Sequence, residues 1–453
     1  MTENEWFEDT QKARPPTKVL RHTFVYAVVM LALCLMLAAP AGAWNADTTW
    51  YTGNTDTYYL STADQLAGLA VLTNEDNTGT VENFAGKTII LSNDIDLQYQ
   101  EWTPIGTEIN PFNGVFDGNG YSITNLNLSL PDQNYVGLFG YTNADAEIKN
   151  LNIIAGTVVG NARVGTLIGH SYGSISNIVI DVDNVTGTTY VGGAIGYAVQ
   201  ATLTNLSVSA QDVVGVGYVG GVIGYILDSV SVTDISLVAD TISSSSTEVG
   251  GVFGAIDNTP VNGVTANIES VIGGTSSYTG GVAGNVLRSS FTEIWLSVED
   301  VRIADGSFGS AGGLVGYGLD STMEKMCVVA NSINASTRYQ ACNVGGVAAC
   351  LSNSTVEDSV VLANDIIGGY PAGGLVGSLS SDSSVVNCYV VGNLTGEMRV
   401  GGLVGSADDT TTQIENSLSL LRTLSSEYSD VSRIVGTFNG EDTSILNTYA
   451  WDS

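Results

Sequence analysis

Basic residues are scarce in this chain of 453 residues, which has 14 Lys and Arg against 46 Asp and Glu and a formal net charge of −32. Residues 1–43 hold four bases and four acids, so the rest of the chain carries the whole net charge and only scattered bases. Binding to phosphates needs a clustered basic patch. The composition therefore argues against a nucleic-acid partner.

Proline and charged side chains are also few, with 8 Pro and a charged fraction of 13%. Glycine is abundant at 54 residues, and Val, Ile, Ser, Thr and Asn crowd the remainder. This composition favours strands and turns over helices. Length alone would suggest two or three domains, but a solenoid grows by adding units and can exceed that size as one body.

The N-terminal 43 residues have the layout of a secretory signal. Four bases precede an apolar stretch at 24–39, and Pro40 ends this stretch ahead of the A-x-A pattern Ala41-Gly42-Ala43. We therefore predict a signal peptide over 1–43. An uncleaved membrane anchor is the alternative, because the uncharged span 23–46 is long enough to cross a bilayer. In both cases the remainder is exported, so we expect a secreted or cell-surface protein.

Cysteine is limited to five residues, one of which, Cys34, lies in the predicted signal. Export permits disulfides, but no two of the other four occupy equivalent positions of adjacent repeats. We expect buried free thiols at Cys327, Cys342, Cys350 and Cys388.

A motif of V-G-G-L-V-G type recurs through most of the chain, and its successive final positions are 27 to 33 residues apart. The copies lie at 136–140, 164–169, 191–196, 219–224, 249–254, 279–284, 311–316, 344–349, 372–377 and 400–405, and a decayed copy ends at Gly436. Glycine lacks a β-carbon, so the paired glycines are predicted to permit a sharp bend and close contact between repeats. These structural glycines are Gly192, Gly193, Gly220, Gly221, Gly250, Gly251, Gly280, Gly281, Gly312, Gly313, Gly345, Gly346, Gly373, Gly374, Gly401 and Gly402.

About ten residues after each motif, a polar residue precedes an apolar, strand-like run. One such unit cannot bury its apolar face alone, but stacked units pair each strand with its copies at roughly 4.8 Å. The pattern predicts an all-β fold, a right-handed parallel β-helix. Its inward column would contain Leu151, Ile178, Leu206, Ile235, Ile294 and Met326, and a ladder of amides at a turn would contain Asn150, Asn177 and Asn205.

Residues 44–130 differ from the repeats and are expected to form an N-terminal cap and the first rungs, followed by the repeats over 131–453. A short capping helix is predicted over 61–73, with Ser61 or Thr62 at its N-cap. This helix would cover the open edge of the first rung. Residues 89–97 are expected to form one alternating strand.

Several motifs of the chain resemble the GLUG repeat family, named for its Gly-Leu-bulky-Gly signature. The resemblance covers about residues 56–451 and includes the lead-in sequences N-D-I-D-L at 93–97, W-T-P-I-G at 102–106 and F-D-G-N-G at 116–120. It implies a surface-exposed β-helix, as in surface stalks, adhesins and the N-terminal regions of zinc peptidases that cleave immunoglobulin A. The repeats of the family share no catalytic residues.

No residue of the sequence is a strong candidate for a catalytic role. Histidine occurs only as His22 and His170, so the H-E-x-x-H motif of a zinc peptidase is absent. His170 is expected to be a surface member of a tyrosine column. Acids that a glycosidase might use are most simply solvated turn residues, as at Asp94, Asp96, Asp181 and Asp183. Bases that a lyase might use have no distinguishing context, as at Arg163, Arg288, Arg338 and Arg399.

Tyrosines flank the motif on both sides, and stacked aromatic residues either stabilise strands or bind sugars. We expect the structural role to be the main one and keep sugar binding as the alternative. The ligand-facing candidates are Tyr135, Tyr141, Tyr190, Tyr197, Tyr218, Tyr225, Tyr278 and Tyr317.

The sequence as a whole predicts a non-enzymatic surface repeat protein with a role in adhesion or in the cell envelope. Its expected partner is a cell-surface glycan or protein. A carbohydrate-active β-helix enzyme, either a polysaccharide lyase or a glycosidase, is the alternative. No cofactor is implied, and calcium is suggested only by the general excess of acids.

Overall fold

The computed structural model describes residues 44–74, 79, 81–335, 342–408, 411–428, 431–438 and 444–451. The predicted signal at 1–43 lies outside the described residues. From residue 44 onward the described chain forms one compact unit, a parallel β-solenoid of about 13 turns with a single helix. The predicted fold class is confirmed.

The largest sheet, called the long sheet below, contains strands of up to 14 residues in parallel pairs. Its strands are Thr57–Leu60, Thr88–Leu91, Ile95–Asp96, Val115–Asp117, Ser122–Ser129, Glu147–Val159, Ser174–Thr186, Thr202–Gly215, Ser231–Ser244, Pro260–Gly273, Ser290–Ile303, Thr322–Asn334, Thr355–Glu357, Val360–Gly368, Ser384–Val386, Tyr389–Gly396, Gln413–Glu415, Leu418–Ser426, Ser444–Leu446 and Tyr449–Ala450.

The repeated motif builds two further parallel sheets, one from each of its halves. The first contains Ala162–Val164, Thr189–Gly192, Gly217–Gly220, Val249–Gly250, Ser277–Gly280, Gly309–Gly312, Val344–Gly345, Ala372–Gly373, Val400–Gly401 and Val431–Ser432. The second contains Phe139–Tyr141, Ile168–Ser171, Ile195–Val199, Ile223–Leu227, Phe253–Asp257, Ala283–Leu287, Val315–Leu319, Ala348–Ser352, Val376–Ser380, Val404–Ala407 and Val435–Phe438.

The core is a set of inward columns that continue from rung to rung. Leu151 pairs in register with Ile178, which pairs with Leu206, and the column continues to Ile294 and Met326. All of its members are at most 2% exposed. The predicted inward column is therefore confirmed, with Val264 as a further member.

The residue at the corner before the inward column adopts a left-handed backbone, with φ between 54° and 56° at Asn150, Asn177 and Asn205. The side chains form the predicted ladder. The amide of Asn205 donates to Oδ1 of Asn177, and the amide of Asn177 donates to Oδ1 of Asn150, both at 2.9 Å. Asn tolerates this conformation better than most residues, because its short polar side chain bonds locally.

The motif glycines are required by close backbone contact. A β-carbon on Gly193 would lie 2.1 Å from the carbonyl oxygen of Gly221, and one on Gly221 would lie 2.3 Å from that of Gly251. Neither glycine has a positive φ, so space decides the residue type here. Neighbouring rungs pack backbone against backbone at this position.

The helix lies at Ala63–Asn74, directly after the first strand. Thr62 caps it, since its hydroxyl accepts from the backbone NH of Gln65 at 3.3 Å. Leu66 and Leu69 are fully buried in the core that continues through the solenoid. The expected single strand at 89–97 was wrong, because a turn at 92–94 splits it into Thr88–Leu91 and Ile95–Asp96.

Candidate functional site

The flanking tyrosines lie in two columns at the motif sheets. Register places Tyr141, His170, Tyr197 and Tyr225 side by side on successive rungs. The residues before the motif form the second column, since Val136, Val164, Val191 and Val219 are themselves in register and Tyr135, Arg163, Tyr190 and Tyr218 precede them. Both columns therefore follow from the repeat itself.

Six of the eight predicted tyrosines form one cluster. Tyr190 stacks on Tyr218 with ring centroids 5.2 Å apart, and Tyr197 contacts both Tyr190 at 5.0 Å and Tyr225 at 5.3 Å. Tyr278 and Tyr317 form a separate pair at 5.1 Å, because Ala255 and Asn285 occupy the rungs between. All eight rings are half-buried.

His170 lies inside this cluster, so the expectation of a surface position was wrong. It is only 6% exposed, because Tyr141 at 4.5 Å, Tyr172 at 5.0 Å and Tyr197 at 4.8 Å surround its ring. Neither ring nitrogen has a hydrogen-bond partner among the described residues. Burial, together with nearby Arg163, lowers the pKa of His170 to about 3. The imidazole is therefore neutral at ordinary pH.

Arg163 lies over three tyrosine rings, with its guanidinium carbon 5.1 Å from the centroid of Tyr135, 5.5 Å from Tyr190 and 5.6 Å from Tyr197. A cation over ring faces stabilises such a stack. Tyr172, which sequence reasoning missed, completes the cluster. Its position two residues after His170, on the same side of the chain, could have predicted this contact. The rings mainly pack against one another, which favours the structural role.

Two of the other arginines considered for a lyase contact residues close to them in the fold. Arg288 forms an ion pair with Asp257, and Arg399 lies 4.6 Å from the ring of Tyr370 and 3.9 Å from Asp408. Arg338 lies outside the described residues. None of these contacts assembles a base and acids into one cleft.

The acids singled out from the sequence take part in turns and ladders. Asp94 accepts from the backbone NH of Ser122, Asp96 accepts from the amide of Asn125, and Asp183 accepts from the amide of Gln211. Asp181 is exposed on the long sheet. Within the described ranges, no group of three His, Cys, Asp or Glu could hold a metal ion.

Cys327, Cys350 and Cys388 have free thiols, as predicted. Cys342 and Cys388 are buried, whereas Cys327 and Cys350 are partly exposed, so burial was correct for only two of them. Burial raises the pKa of the Cys388 thiol to about 12. A thiol of that pKa is unreactive at neutral pH.

A groove on the outside of the long sheet was not predicted. Its volume is about 430 Å³, and it crosses five successive rungs. It is lined by Ser297, Val298, Glu299, Val329, Ala330, Asn331, Leu362, Ala363, Asn364, Val391, Gly392 and Arg422.

Two curated proteins are similar to parts of this chain, and in each the matched segment is a small part of a much longer protein. A protein of Evansella cellulosilytica, named as a Gly-rich membrane protein, is 32% identical over 180 residues, which are 36% of this chain and 19% of the relative. Halomucin of Haloquadratum walsbyi is 36% identical over 96 residues, 20% of this chain and 1% of the relative. This chain therefore spans a fifth or less of the length of these relatives. No family model matches it.

Among solved structures, a protein described as an immunoglobulin A1 protease of Bacteroides ovatus aligns over 87% of this chain and 84% of its own. The identity is 16% and the TM-score is 0.22. In the part of the chain that the structure describes, no helix is long and apolar enough to cross a membrane.

Proposed function

We propose that this chain is a non-enzymatic repeat protein of the cell surface, with a role in adhesion or in the structure of the cell envelope. The observation that carries the proposal is the continuous register of the two motif sheets. Equivalent residues stay paired from the first motif sheet strand to the last described one, and motif spacing stays within 27 to 33 residues. Such a rod repeats one outer surface many times, and many weak contacts sum to avidity.

Export and surface location form part of the proposal. The basic and apolar layout of residues 1–43 supports it, and so do the names of the two partial relatives, a membrane protein and a halomucin. The motif resemblance to GLUG repeats points the same way. An expected partner is a glycan or protein of another cell surface.

A carbohydrate-active enzyme is the second candidate, and the groove is the place where it would act. A glycosidase needs two carboxylates across the sugar, but the groove lining contains a single carboxylate, Glu299, and a single base, Arg422. Catalysis also needs a constellation held in one place. The lining supports binding better than bond cleavage.

Two assays of the exported chain test the proposal. Attachment of the purified protein to cells and to cell-envelope fractions is expected to be measurable and saturable. A panel of polysaccharides and peptides, followed for reducing ends, unsaturated sugars and new amines, is expected to show no turnover. Turnover that disappears in Glu299→Gln would establish the enzyme and refute the proposal.

A further inference from the structure

The outer face of the long sheet changes its chemistry over two neighbouring rungs, at strands Ser290–Ile303 and Thr322–Asn334. Three columns of outward residues run along this face, and each is mainly polar or acidic in the N-terminal half of the solenoid, where single apolar residues interrupt the first two columns. The first column becomes apolar at Trp295, and on the next rung the second column becomes apolar at Val329 and the third changes from Glu299 to Asn331. Because all three columns change within two rungs, the C-terminal half presents a distinct surface.

The first two columns form what we call the apolar stripe. Its first column contains Trp295, Cys327, Val360, Tyr389, Leu418 and Tyr449, and its second contains Val329, Leu362, Val391 and Leu420. Upstream, the first column contains Asn152, Val179, Ser207, Ser236 and Thr265, and the second contains Ile154, Asp181, Ser209, Val238, Asn267 and Ser297. No charged residue lies within the stripe.

The stripe presents large apolar side chains to solvent. Trp295 is 54% exposed, Tyr389 is 41% exposed and Tyr449 is 67% exposed. Contiguous apolar patches on a soluble surface mark binding sites. Aromatic rings aligned along one axis offer flat faces on which sugar rings stack.

The third column follows the bend of the long strands, where two consecutive residues face outward. Upstream it contains mainly acids, at Asp183, Gln211, Asp240, Glu269 and Glu299. On the next two rungs it contains Asn331 and Asn364. The amide of Asn364 donates to Oδ1 of Asn331 at 2.9 Å, and the amide of Asn393 donates to the carbonyl oxygen of Asn364 at 2.8 Å. Amide groups suit neutral hydroxyls as both donors and acceptors.

The groove lies between the stripe and this bend, and its floor is made of small residues. Ala330 and Ala363 are followed at the same position by Gly392, whose φ of 152° accompanies a shift in strand register. A β-carbon on Gly392 would lie 1.8 Å from the carbonyl oxygen of Ala363. At Gly392 the backbone itself therefore lines the groove, since no side chain fits at this position.

We propose that the groove and the apolar stripe bind an uncharged polysaccharide that lies along the solenoid axis. Sugar rings stack on the stripe and hydroxyls bond to the amides of Asn331 and Asn364. An anionic glycan is disfavoured, because the lining offers only Arg422 as a base and the chain has a net charge of −32. This inference rests on the proposed surface function and names its ligand class.

A second copy of this chain is a weaker occupant. Two chains of charge −32 repel each other, and a flat sheet face would leave the concave floor at Gly392 without contacts. A flexible chain of sugars can follow both the stripe and the groove. The polysaccharide therefore accounts for more of the surface.

The test is retention of the full exported chain in affinity gels that contain soluble neutral glucan, mannan, galactan or xylan. We expect retention by at least one of these polymers. Tyr389→Ala removes a stacking face and Asn364→Asp places a carboxylate in the groove, and each should weaken binding about tenfold. Tyr59→Ala, which removes a tyrosine 62% exposed on the first strand, is the control and should bind normally.

Absence of retention by every polymer, or retention of Tyr389→Ala and Asn364→Asp equal to that of the unmodified chain, would overturn the inference. So would a dimer, measured by sedimentation, that Tyr389→Ala dissociates, because the face would then be a protein interface. Cell attachment measured in parallel separates this inference from the proposed function. Attachment to cells without retention by any polymer refutes the glycan site alone, whereas glycan retention without attachment refutes only the adhesive role.

Discussion

At the scale of single residues, the absence of a side chain is what lets neighbouring rungs meet. A β-carbon on Gly221 would lie 2.3 Å from the carbonyl oxygen of Gly251 and 2.6 Å from the side chain of Leu237. Backbone cannot move away at one rung without disturbing the next. A side chain at a motif glycine would therefore disturb the backbone of two neighbouring rungs.

We predict that Gly221→Ala lowers the free energy of unfolding by about 1–3 kcal/mol, as expected for overpacking. Gly156→Ala is the matched control, because a β-carbon there meets only a ring atom of Tyr99 at 3.6 Å. Urea unfolding of both variants measures the difference. Equal stability of the two variants would contradict the account of the motif.

The fold strongly controls the protonation state of His170. Its pKa is lowered to about 3 in the folded chain, against about 6.5 in an unfolded one. The folded state therefore favours the neutral imidazole. This contribution to stability is complete above pH 6.5 and is lost progressively as pH falls toward 3.

We predict that His170→Phe makes unfolding less sensitive to acid between pH 6.5 and 3, by up to about 1.4 kcal/mol for each pH unit. Tyr197→Phe, in the same column, is the control because it removes no group that titrates in this window. Unfolding free energies measured across the pH range decide the matter. A His170→Phe profile parallel to that of the unmodified protein would show that the imidazole is accessible to protons.

At the scale of secondary-structure elements, the corner position couples backbone conformation to a ladder of side chains. Asn177 has φ of 56°, donates to Asn150 and receives a bond from Asn205. The equivalent position three rungs after Asn177 contains Gly263, also at positive φ. Asp234, Glu293 and Lys325 occupy the same left-handed corner on other rungs, so glycine and several polar residues satisfy it.

We predict that Asn177→Ala costs about 2 kcal/mol, because it adds left-handed strain and removes both ladder bonds. Asn177→Gly should recover about 1 kcal/mol of this loss, since glycine adopts the backbone freely. Thermal and urea unfolding of the pair would separate strain from hydrogen bonding. A glycine variant no more stable than the alanine variant would assign the whole cost to the ladder.

Features that depend on the repeat period could be predicted from the sequence, and features that depend on neighbours across the rung could not. The inward column at Leu151 and the ladder at Asn177 follow from the period alone. Burial of His170 depends on Tyr172, which lies outside the repeated pattern. The groove depends on the register shift at Gly392, and its apolar stripe becomes visible only when the outward residues of successive rungs are aligned.

At the scale of the whole molecule, each rung contacts mainly its neighbours. Each added rung therefore contributes both to the stability of the solenoid and to its outer surface. The net charge of −32 keeps such rods apart in solution. The motif spacing of 27 to 33 residues leaves no room for a large inserted loop. The central claim is that interchangeable rungs display an extended binding surface.

Removal of one rung tests that claim most directly. Deletion of residues 197–224 joins Gly196 to Tyr225, which is the register partner of Tyr197, and places Ile235 beside Ile178 in the inward column. We predict a cooperatively folded rod, shorter by roughly 4.8 Å in small-angle scattering, that still attaches to cells. Loss of folding, or a folded variant without attachment, would contradict the account.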